Sequence, residues 1–106
     1  MNTWDDRKKG FEAKYQKDQE AQFKIRAMRN KLLGLWAADL VKPENIDEYV
    51  KEVRLSDLEK PGDDDIIDKI LSDFEKKSIN INRQIIVKKI EECQNQAIEN
   101  YYKEIK

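Results

Sequence analysis

Histidine is absent from the 106 residues, cysteine occurs once, as Cys93, and the chain holds three glycines and two prolines. Without histidine, no serine or cysteine has the usual base to activate it, and the common zinc ligand sets are excluded. A lone cysteine forms no internal disulfide, which points to a reducing cytoplasm. Gly10, Gly34 and Gly62 stand far apart, so no glycine-rich phosphate-cradling loop exists. No run approaches the roughly 18 apolar residues of a membrane span, and the opening MNTWDDRKK lacks the apolar core of a secretory signal. A net charge of -1, from 21 basic and 22 acidic residues, leaves no global field to recruit nucleic acid or an anionic membrane. No constellation supports an enzyme, a metal site or a bound cofactor.

What remains is a chain with 41% charged and 39% hydrophobic residues, a balance suited to amphipathic helices around one modest core. From Ile25 the positions Met28, Leu32, Leu35, Trp36 and Leu40 recur at three and four residues, predicting a helix that ends before Pro43 with this stripe buried. Pro43 fits the first turn of a second helix, with Ile46, Tyr49, Val50 and Val53 inward. Pro61 and Gly62 break the chain, Asp63 is placed as an N-cap, and Ile67, Ile70, Leu71 and Phe74 form the inner face of a third helix. One of Ile79 and Ile81 is expected to tuck under the bundle. Asn82 then caps a last helix built on Ile86, Ile90, Cys93, Ala97 and Tyr101. The fold class is all-α: a compact four-helix bundle over residues 25–106, its neighbours joined by short connections.

Residues 1–24 differ, for their main large apolar side chains are Trp4, Phe11 and Tyr15 in an otherwise charged run. On a helix these three fall within one sector and form a thin aromatic ridge that wants a groove. Gly10 inside the run costs about 1 kcal/mol relative to alanine. The segment is therefore expected to be an arm that protrudes from the bundle or is disordered, against the plainer alternative that its aromatic ridge folds back onto the bundle.

The run Asp63 to Asp65 with Asp68 lacks the spacing of a calcium loop, and helix capping accounts for it. Gly34, costly in a strong helix, is expected where a neighbouring helix comes close. Cys93 on an apolar stripe is read as a small core residue, and Trp36 as core. Arg26, Arg29 and Lys31 are candidate phosphate contacts for ATP or ADP, against the plainer expectation of a solvated charged face.

The stretch from Thr3 to Ala38 resembles the ζ subunit family of the rotary F-type ATP synthase of alpha-proteobacteria. The resemblance lies in Asp5-Asp6-Arg7, Phe11-Glu12, Lys14, Phe23-Lys24 and above all Arg29-Asn30-Lys31-Leu32-Leu33-Gly34-Leu35-Trp36-Ala37-Ala38. Tyr49 to Val53 and Pro61-Gly62-Asp63 continue it. It implies a regulatory subunit on the catalytic and rotor subunits of the soluble head, cytoplasmic and peripheral to the inner membrane. It also implies an N-terminal arm, about residues 2–19, that inhibits ATP hydrolysis by entering a catalytic interface. Trp4, Asp5, Asp6, Arg7, Phe11, Lys14 and Tyr15 would then be the partner-binding residues. The family usually has phenylalanine where Trp4 and Tyr15 stand, another residue than glycine at position 10, and often a histidine where Lys17 stands. The alternative is a non-inhibitory regulatory or nucleotide-sensing module of the same complex.

Overall fold

The computed structural model describes residues 19–57 and 62–104, with no side-chain account of residue 104. Four helices follow in order: α1 (Gln19–Val41), α2 (Ile46–Ser56), α3 (Asp64–Lys76) and α4 (Arg83–Glu104). The all-α four-helix architecture expected from the periodicity is what forms. Trp4, Phe11 and Tyr15 lie outside the described residues, as do Asp5, Asp6, Arg7 and Lys14. Residues 19–24 form the first turns of α1, where Ala21 is buried.

The long α1 is the central element, packed most extensively on α4 and α2 and less on α3. α3 joins α2 and α4, whose backbones do not come close to each other among the described residues. A helix covered by three neighbours needs a broad apolar band, and the one that forms is Ala21, Ile25, Leu33, Ala37, Ala38 and Val41. This corrects the expected stripe: Leu35 and Leu40 are exposed, and Met28, Leu32 and Trp36 are half-buried. Small residues occupy the centre because they let backbones approach, while bulkier ones fill the flanks. Gly34 bears this out, since a Cβ there would lie 3.3 Å from both Cα and Cγ1 of Val50 on α2. Leu32 and Trp36 still pack against the core from its edge, Trp36 meeting Phe74 edge-on at 5.6 Å between ring centroids.

The joints follow local backbone chemistry, with two departures from expectation. Lys42 takes a left-handed φ of 55° at the end of α1, and its N–H donates to the Ala38 carbonyl. Pro43 then stands before α2, not in its first turn. Asn45 is the N-cap, accepting the Glu48 amide at 3.1 Å, so Ile46 opens the helix at an uncovered end and is exposed. Asp63 occupies the N-cap position of α3 but makes no side-chain cap bond, because its carboxylate turns to arginines of α1. Asn82 caps α4 as expected, accepting the Ile85 amide at 3.0 Å.

After α3 the chain leaves through a Schellman motif. Ile79 N–H donates to the Phe74 carbonyl and Ser78 N–H to that of Glu75, with Ser78 at φ 57°. The motif folds Ile79 onto the core, and Ile81 packs there too, so both isoleucines are used where one was expected. Phe74, Ile66, Ile70, Ile86, Leu33 and Val53 are wholly enclosed. Cys93 is a buried free thiol, pushed above its ordinary pKa by that burial.

Candidate functional site

Two features of the bundle stand close together where α1 runs beside α2. The first is a buried polar hub. Asp57 is the C-cap of α2, a position where the negative end of the helix disfavours a carboxylate unless cations answer it. Arg26 answers with two bonds, Nε to Oδ2 at 2.6 Å and Nη2 to Oδ1 at 2.8 Å. Asn30 Nδ2 donates to Oδ2 at 2.7 Å, and the Arg29 guanidinium lies 3.6 Å away. Asn30 in turn accepts from Arg29 Nε and Nη2, so its amide is used at both ends.

Asp63 closes the hub from the start of α3. Its Oδ1 pairs with Arg29 at 3.0 Å and with Arg26 at 3.4 Å, while Arg26 also reaches the Gly62 carbonyl. Gly62 has φ +94°, a conformation open to glycine at little cost, which lets the chain turn into α3 beside the arginines. Burial works to raise the Asp57 pKa, but the bonds from Arg26 and Asn30 and the charges of Arg26 and Arg29 outweigh it. The carboxyl therefore sits below its usual range and is ionised at neutral pH.

The second feature is a groove of about 620 Å³ between α1 and α2. Phe23, Ala27 and Leu35 recur along one ridge of α1, and Val50 and Leu55 line the groove from adjacent rows of α2. Phe23 is 71% exposed, Leu55 51% and Leu35 41%, so these apolar side chains meet solvent together. Lys31, Lys51, Arg54 and Asp47 stand on the rim, all exposed.

Of the candidate nucleotide contacts, the structure brings Arg26 and Arg29 into the hub and leaves Lys31 on the groove rim. The solvated charged face expected around them holds for Lys31 but not for Arg29 and Asn30, which are buried. Asp57 went unnoticed in the sequence. Its signal was an acidic residue at a helix C-terminus, which needs an external cation to be stable there. Of the acidic run, Asp64 and Asp68 pair with Arg83 at 2.7 and 2.9 Å, and no group of metal-ligating side chains occurs among the described residues.

A sequence model for the family described as ATPase inhibitor subunit zeta matches residues 1–100. No curated protein matches the chain.

Proposed function

This chain belongs to the ATPase inhibitor subunit zeta family, a regulatory subunit of an ATP synthase and not an enzyme; from that membership we propose that it brakes ATP hydrolysis through its N-terminal arm. The observation that carries the proposal is the extent of the match, which spans the aromatic segment as well as the bundle. Of the 1–24 arm expected from the sequence, residues 19–24 belong to the first turns of α1, so the arm proper is residues 1–18 and the carrier begins at Gln19. The arm enters a catalytic interface of the soluble head with Trp4, Phe11 and Tyr15 as anchors, and Asp5, Asp6, Arg7 and Lys14 make the polar contacts around them. Large aromatics suit this task because a few buried anchors hold most of the energy of a protein interface. Rotation in the synthesis direction expels the arm, so the brake acts one way.

The bundle serves as a handle that keeps the arm at the head. No helix among the described residues is long and apolar enough to cross a membrane, in keeping with a peripheral place in the complex. The test is ATP hydrolysis by the cognate synthase head, titrated with the full chain and with a variant lacking residues 1–18. Inhibition by the full chain alone is expected, and Phe11→Ala weakens it. Equal inhibition by the truncated form sinks the proposal. A second reading, nucleotide sensing, rests on Lys31 at the groove rim, since Arg26 is held by Asp57 and Asp63. Calorimetric titration with ATP and ADP tests it, and no heat at millimolar nucleotide removes it.

A further inference from the structure

We propose that the α1–α2 groove is a docking site for an acidic amphipathic helix of a partner protein, separate from any contact made by the arm. Its walls are α1 and α2, and the span from Phe23 to Leu35 along α1 is about 18 Å at 1.5 Å per residue. That length matches about three turns of a docked helix, with anchors at helical spacing lying between Phe23, Leu35 and Leu55. Three exposed apolar side chains in one concave strip are unusual on a bundle this charged, and such patches mark interaction sites.

The rim selects the occupant. Lys31, Lys51 and Arg54 make no ion pair among the described residues, whereas the acids beside them are Asp47 and the hub carboxylate Asp57, which is already paired. An apolar floor inside a basic rim is complementary to a helix with leucine-like anchors and flanking carboxylates. This chain's own N-terminal segment is a poorer match, since residues 1–18 carry five basic against four acidic residues. The proposal goes beyond the arm-based brake and does not rest on it.

The test uses the ¹⁵N-labelled full chain and two synthetic fourteen-residue helical peptides with the same leucine seam, one with glutamate and one with lysine at the remaining positions. The glutamate peptide is expected to shift backbone amides in residues 23–35 and 47–55, and the lysine peptide to bind at least tenfold more weakly. The double variant Lys51→Glu/Arg54→Glu is expected to lose at least tenfold in affinity while the chain stays folded, with Tm lowered by only a few degrees by the added carboxylates near the C-terminus of α2. Equal binding of both peptides, shifts elsewhere, or no shifts at millimolar peptide overturns the proposal. Groove shifts caused by Phe11→Ala without peptide would make the chain's own arm the occupant, and concentration-dependent shifts a second copy; either overturns it. ATPase inhibition is not read in this experiment, so its failure leaves the brake untouched.

Discussion

Replacing Asp57 by alanine removes the group on which the polar hub converges. The side chain is 1% exposed and accepts three short bonds, two from Arg26 and one from Asn30. Bonds to a charged group are worth about 1.5–3 kcal/mol each, but they do not simply add here. Arg26 is 41% exposed and turns to water when released, which brings its share towards the ~0–1 kcal/mol of a surface pair. Arg29 keeps Asp63 at 3.0 Å. Asn30 is enclosed and loses its acceptor, a cost of about 1–3 kcal/mol. Removing a carboxylate from a helix C-terminus returns about 0.5 kcal/mol. Mid-range values net to about 2 kcal/mol, a drop in Tm of about 8–16 °C for a domain near 100 residues. Thermal unfolding followed by circular dichroism at neutral pH measures it, with Arg26→Ala and the double variant completing a cycle. A drop below about 3 °C, or strict additivity of the two substitutions, refutes the account of the hub.

Acid titrates the same hub. A carboxyl whose folded pKa lies below the unfolded value of about 3.9 contributes stability that is fully present above that pH and lost as pH falls through the folded value. Wild-type Tm should therefore fall more steeply below pH 4 than that of Asp57→Asn, and parallel curves would contradict the assignment. Gly34→Val places a branched side chain against the Val50 backbone, and about 2 kcal/mol or more should be lost in urea unfolding as α1 and α2 part. Ser78→Gly relieves a left-handed residue at an exposed C-terminal turn and should raise stability by about 0.5–1 kcal/mol in the same assay. Cys93 should react with a thiol reagent only through opening of the fold, so a loss of about 2 kcal/mol in Asp57→Ala accelerates labelling roughly 30-fold.

By itself the sequence determined the number and order of the helices, because apolar spacing and punctuation by Pro43, Asn82 and the Pro61-Gly62 joint are local properties of the chain. It also determined the small-residue crossing at Gly34 and the inward face of α4, since Ile86, Ile90, Cys93 and Ala97 recur at helical spacing and are all buried. The family was legible too, in the run from Arg29 to Ala38 and in the match that spans residues 1–100. Which face of α1 is buried was not, for a helix touched by three neighbours has no single apolar stripe, and large residues such as Leu35 give way to Ala37 and Ala38 where backbones must approach. Nor could spacing reveal that Arg26, Arg29 and Asn30 meet Asp57 and Asp63, which lie 27 to 37 residues away along the chain. Charge partners across such distances are chosen by helix packing, and so is the groove that Phe23 and Leu55 form only once α1 and α2 lie side by side.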